Sequence, residues 1–178
     1  MIQKLFSILF CTFLVIGCSN DNKDPLNTVS YVDLQKYMGT WYEIASFPTW
    51  FQKGCTRTTA TYMLNADNKV KVLNKCFKPD SKGNLTPSTA EGTAYVADPI
   101  TNAKLKVSFF WPFSGDYWII ELASDYKYAV VGHPDRDYLW ILSRSPYMDS
   151  KTYADLLKRV KIKGFDIRRL NKTVQPVK

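Results

Sequence analysis

The sequence is poor in the residues that most often carry chemistry. One histidine, His133, stands in 178 residues. That excludes a metal site built from several histidines and leaves any Ser-His-Asp triad dependent on His133 alone. No nucleophile stands evidently beside a base. Cysteine is nearly as scarce, at four; Cys11 falls in the N-terminal apolar stretch and Cys18 directly follows it. That stretch, Leu5 to Gly17, is too short to span a bilayer comfortably. There is no internal repeat and no low-complexity segment. The net charge of +8 is scattered, with no nucleic-acid motif beside it. The signature of disorder is absent too: 46% of residues are hydrophobic and 22% charged. The length suits one domain. What the chain has in plenty is aromatic surface: 5 Trp, 11 Tyr and 10 Phe make up 15% of it.

The N-terminus reads as an address. Lys4 precedes the apolar run, as in a secretory signal, and the run closes abruptly on Val15-Ile16-Gly17-Cys18. This ending resembles a bacterial lipobox. The resemblance implies a signal peptide over 1–17, cleavage before Cys18 and lipid on its thiol, palmitate among the acyl groups. A plain signal peptide and an uncleaved anchor are the alternatives. Ser19 stands where an aspartate would mark inner-membrane retention, so the resemblance points to lipid anchoring at the outer membrane. Residues 18–30 are polar and read as a flexible tether. The domain proper is expected over 31–178.

From Trp41 onward, β-branched and aromatic runs alternate with turn clusters. Eight strands are predicted, at about 40–47, 55–64, 69–77, 89–97, 103–110, 117–123, 126–132 and 138–144. In 69–75 the lysines alternate with Val70, Val72 and Asn74, and in 104–109 the inward set is Leu105, Val107 and Phe109. Outward lysines 69, 71 and 75 argue against a membrane-spanning barrel. Short sequential connections favour an all-β fold, a closed eight-stranded antiparallel up-and-down barrel. Tyr153, Leu156, Leu157 and Val160 then follow helical spacing, so a C-terminal α-helix over 149–163 is expected to pack outside the barrel. A short strand near 165–169 is expected after it.

Three motifs carry a family resemblance. They are Gly39-Thr-Trp41-Tyr-Glu-Ile-Ala45 at the start of the first strand, Ser124-Asp125-Tyr126 between the sixth and seventh, and Arg144 closing Tyr138-Leu-Trp-Ile-Leu-Ser-Arg144. In type and spacing the chain resembles a lipocalin of the bacterial outer-membrane group, over about residues 31–170. Trp111 and Ser114 depart from that group, which usually carries glycine and an aromatic there. The resemblance implies a binding protein and no enzyme, without a cofactor. Its partner would be a fatty acid or lysophospholipid held in the barrel, for lipid storage, transport or membrane maintenance. Two alternatives stand beside this: an enzyme of the same fold acting on a lipid or isoprenoid, and a structural envelope lipoprotein with a filled barrel. The oligomeric state stays open, a homodimer included.

Up-and-down topology gives the motif residues roles. Trp41 begins strand one and Arg144 ends strand eight, so they meet at one end, where a cation–π pair contributes about 0.5–2 kcal/mol. Gly39, Trp41, Asp125 and Arg144 are read as structural, Asp125 capping amides of its turn. At the opposite end, the connections and their flanks carry Phe47, Trp50, Phe51, Phe77, Phe110, Trp111, Phe113 and Tyr117. Strand parity puts Phe109, Tyr117 and Trp140 in the lumen. Ligand contact is therefore expected from Phe47, Trp50, Phe51, Phe109, Trp111, Tyr117 and Trp140; the bland alternative is that the rim rings pack the loops together. Lys53, Arg57, Lys78, Lys82 and Arg136 lie near the mouth and could meet an acidic head group. The same parity points Glu121 inward, to pair with Arg144 or to sit at a bulge facing water. Cys55 and Cys76 fall opposite one another, or nearly so, across a hairpin, which suits a disulfide; a two-residue register error would leave both free.

Overall fold

The computed structural model describes residues 24–65, 67 and 69–176. The residues expected to form a signal peptide and lipobox, Cys18 included, lie outside the described residues. After a one-turn helix α1 (Leu34–Tyr37) come eight antiparallel strands: β1 (Gly39–Ser46), β2 (Thr56–Leu64), β3 (Val70–Pro79), β4 (Leu85–Val96), β5 (Lys104–Phe110), β6 (Phe113–Leu122), β7 (Tyr128–Gly132) and β8 (Leu139–Ser143). Each pairs with the next, and β1 pairs with both β8 and β2, which closes the barrel as expected. Helix α2 (Ser150–Ile162) and a two-residue strand β9 (Asn171–Lys172) follow.

Alternation in the strands makes two apolar layers. The inner layer fills the lower barrel with Trp41, Tyr62, Val70, Val72, Leu105, Ile119, Val131 and Leu142. The outer layer joins Ala45, Ile120, Val130, Leu139 and Ile141 to Leu156 and Val160 of α2. The helix starts where Asp149 accepts a hydrogen bond from the Thr152 amide at 2.8 Å. Phe165 follows it down onto the sheet, close enough that a β-carbon on Gly132 would lie 2.6 Å from the ring.

Several segments differ from expectation. Strand β4 begins at Leu85, ahead of the expected 89. Residues 24–30 lie in the range expected to be a tether, yet they run along the barrel: Leu26 is buried, and the Val29 amide donates to the Ile119 carbonyl. The strand expected near 165–169 is a 3-10 turn at Ile167–Arg169, where Asp166 accepts from the Arg168 amide and pairs with its guanidinium. The strand comes later, at β9, once the chain reaches β1 beside Ala45 and Ser46. Finally, β6 begins at Phe113, ahead of the expected 117, leaving Trp111 and Pro112 between it and β5.

Two bulges matter most for the site. Along β1, the register with β8 slips between Glu43 and Ala45. Along β6, the register with β7 slips between Ile119 and Glu121. A bulge inserts one residue and reverses the facing of everything beyond it. Trp41 and Glu43 therefore face the lumen, whereas Ala45 and Phe47 belong to the outer layer. Glu121 likewise leaves the lumen. It accepts from Arg159 Nε at 2.9 Å and lies 3.5 Å from Lys163 Nζ. The bulge expected for it is present, but the carboxylate meets α2 and its surroundings rather than water or Arg144.

Candidate ligand-binding site

The closed end is built around Arg144. Its guanidinium carbon lies 3.8 Å from the centroid of the Trp41 ring. Its nitrogens donate to the carbonyls of Lys36, Tyr37, Met38 and Thr40 at 2.8–3.1 Å. Three of those carbonyls end α1, so the cation also satisfies a helix C-terminus. Trp41 Nε1 donates to the Tyr37 carbonyl at 2.9 Å. Gly39 bends with φ of +92°, and a β-carbon there would lie 3.3 Å from Arg144. Asp125 accepts from the Lys127 amide at 3.1 Å, as expected of a turn cap.

Above this plug three tyrosine hydroxyls meet. Tyr117 Oη lies 2.8 Å from Tyr37 Oη and 2.9 Å from Tyr62 Oη. Burial pushes Tyr62 up to about 12, with the Glu43 carboxylate adding to it, and holds Tyr37 and Tyr117 well above the ordinary phenol value. All three stay neutral at physiological pH, so the cluster forms an uncharged floor.

Over that floor opens a cavity of about 480 Å³, within the range of small-molecule sites. Val72, Val107, Phe109, Tyr117, Trp140 and Leu142 supply much of its wall. Trp50, Phe51, Phe110 and Phe113 stand around its mouth and are exposed, Trp50 at 83%. Of the seven rings expected to touch a ligand, Trp50, Phe51, Phe109, Tyr117 and Trp140 line this cavity. Phe47 does not: the β1 bulge turns it outward, where it is buried against Phe165 and under Arg169. Trp111 does not either; it sits 92% exposed at the hairpin tip between β5 and β6. The Cys55–Cys76 disulfide is formed, with Cα atoms 5.4 Å apart, and ties the start of β2 to β3.

The polar side of the wall went largely unread in the sequence. Glu43 lines the cavity and is 6% exposed. Its carboxylate accepts from Ser46 Oγ at 3.1 Å, from Gln52 Nε2 at 2.8 Å and from Thr173 Oγ1. Gln52 is oriented in turn, its Oε1 accepting from Trp140 Nε1 at 3.1 Å and Thr49 Oγ1 at 3.2 Å. Parity from Trp41 was the signal that could have found Glu43, two residues on along the same strand. At the mouth, Asp116 pairs with Lys106 Nζ at 3.0 Å and lies 3.9 Å from His133 Nε2. None of Lys53, Arg57, Lys78, Lys82 and Arg136 is among the lining residues. Arg136 is instead spent on the carbonyls of Asp24, Pro134 and Lys163.

A plugged barrel with a deep apolar mouth is a shape that known proteins share. The family model for the lipocalin-like domain matches residues 32–175. The chain belongs to the lipocalin family. This lipocalin is 42% identical over 165 residues to the outer membrane lipoprotein Blc of Escherichia coli K12, covering 92% of each chain. It is 43% identical over 162 residues to temperature-induced lipocalin-1 of Arabidopsis thaliana, covering 86% of this lipocalin and 84% of the plant protein. In fold it matches insecticyanin of the tobacco hornworm Manduca sexta, with a TM-score of 0.68, 23% identity and 86% of each chain covered.

Proposed function

We propose that this lipocalin is a lipid-binding lipoprotein of the outer membrane that holds a fatty acid or lysophospholipid in its barrel. The observation that carries the reading is the cavity: an apolar, aromatic-walled space above a neutral floor, opening past exposed rings. A filled structural barrel would have no such space. Likeness to relatives named outer membrane lipoprotein supports the location, together with the lipobox ending in Cys18. Binding rather than catalysis is favoured by a wall made mostly of aliphatic and aromatic side chains. The ionisable pair at the mouth, His133 and Asp116, is engaged with Lys106 and its own turn.

Apolar burial suffices for useful affinity. A micromolar complex needs about 8 kcal/mol, which roughly ten buried methylenes supply at ~0.8 kcal/mol each before ordering costs. The test is mass spectrometry of lipid that co-purifies with the mature protein, followed by titration with a fluorescent fatty acid. The expected result is stoichiometric, chemically unchanged lipid and saturable binding that Trp140→Ala weakens. A turned-over lipid product would favour the enzyme, and an empty, non-saturating barrel would favour the structural reading.

A further inference from the structure

The lining residues of the cavity include two carboxylates, Glu43 and Asp116, and one imidazole, His133, but no lysine or arginine. The two acids differ in their surroundings. Asp116 is neutralised by Lys106 at 3.0 Å. Glu43 is held by three neutral donors, Ser46, Gln52 and Thr173. A buried carboxylate without a cation is costly unless something supplies the missing charge. On the adjoining strand lies a second unfinished group. Thr58 also lines the cavity and is 7% exposed, and its hydroxyl has no hydrogen-bond partner among the described residues. The two residues are neighbours: the Gln175 amide nitrogen donates to the main-chain carbonyls of Glu43 at 2.8 Å and Thr58 at 3.0 Å.

We propose that Glu43 and Thr58 form a head-group subsite that takes a cationic hydrogen-bond donor, an ammonium group, on a single-chain amphiphile. The proposal rests on the lipid-binding reading and narrows it, away from a fatty acid and towards a single-chain lipid whose head group carries an ammonium. An ammonium would supply the charge Glu43 lacks and a donor for the Thr58 hydroxyl, while the chain lies against Val72, Val107 and Phe109. A carboxylate head would meet a like charge at Glu43 with no lysine or arginine in the wall to offset it. The preference opposes the molecule's net charge of +8, which by itself draws anions. Glu43 is set for the task because Trp140 and Thr49 fix the amide of Gln52, so that its nitrogen faces the carboxylate.

The experiment is a matched series of single-chain probes of equal length: an alkylammonium, an alkanol and an alkanoate. Each is titrated against the whole mature protein at neutral pH, with displacement of a fluorescent fatty acid as a second readout. The ammonium is expected to bind at least about tenfold more tightly than the carboxylate. Glu43→Gln is expected to erase that preference, and circular dichroism checks that the variant is folded. Asp116→Asn is expected to keep the preference. Equal or tighter binding of the alkanoate by the native protein overturns the subsite, as does loss of the preference in Asp116→Asn but not in Glu43→Gln. Failure of all three probes to saturate would overturn the lipid-binding reading beneath it.

Discussion

Arg144 concentrates more of the fold's closure than any other side chain in the plug. It stacks on Trp41 and satisfies four carbonyls, three of them at the end of α1. Removing it strands those acceptors and uncovers the indole. Arg144→Ala is expected to cost about 2–4 kcal/mol in urea-unfolding experiments. Arg144→Lys should recover only part, because one ammonium cannot reproduce the planar fork. Little change in the unfolding midpoint of Arg144→Ala would show that the plug holds without it. The pairing of Arg144 with Trp41 was legible in the sequence, since strand parity alone brings the start of strand one to the end of strand eight. The three carbonyls of Lys36, Tyr37 and Met38 were not, because they depend on α1, whose single turn leaves no periodic trace. Glu43 was legible in facing but not in partners: Thr173 reaches it from 130 positions away.

Elements were readable where they are regular and misread where they bulge. Period-two alternation placed Val70, Val72, Leu105, Val107 and Phe109 inside, and they are there or on the cavity wall. Phe47 is expected at the mouth because it flanks the first connection, but the bulge beyond Glu43 reverses the facing of the strand and turns it outward. Ile44 gave no warning, since an apolar residue at a bulge leaves the pattern of hydrophobicity almost intact. The same holds for Ile120 and the misdirected Glu121. The correction makes opposite demands on two aromatic residues. Phe47 lies between the sheet, Phe165 and Arg169, away from the lumen. Phe47→Ala should therefore lower stability by about 3–5 kcal/mol and leave lipid affinity unchanged at temperatures where it remains folded. Trp140→Ala should do the reverse in kind, weakening the lipid complex because its ring lines the cavity. Thermal unfolding and ligand titration on both variants separate the two roles; a loss of affinity in Phe47→Ala would return that ring to the site.

At the scale of the whole molecule, the plug and the cavity are two halves joined through one hydrogen-bonded layer of tyrosines. Tyr37 belongs to the plug, Tyr62 and Tyr117 to the cavity floor, and Tyr117 bonds to both of the others. The barrel and its outer helix could be read from short connections and a change of period. Two other features could not: the packing of residues 24–30, and the C-terminal stretch that hydrogen-bonds Ile44 and Arg57. A two-residue strand and a polar leader carry no periodic signal, and only the barrel surface gives them a place. The tyrosine layer makes a prediction for the molecule as a whole. Burial raises all three phenols, Tyr62 to about 12, whereas an unfolded tyrosine titrates near pH 10. Above about pH 10 the unfolded chain therefore holds fewer protons than the folded one, and stability falls as pH rises. The stabilisation is complete below the unfolded value and is lost towards and beyond the folded one. For Tyr62 alone the loss approaches about 2–3 kcal/mol by pH 12. Tyr62→Phe should be less stable at neutral pH by about 1 kcal/mol, for the lost bond to Tyr117, yet decline less steeply in alkali. Urea midpoints at successive pH values, read beside phenolate absorbance, measure both slopes. An alkaline decline as steep in Tyr62→Phe as in the native chain would mean that Tyr62 does not contribute to it, and that other groups set the limit of the fold.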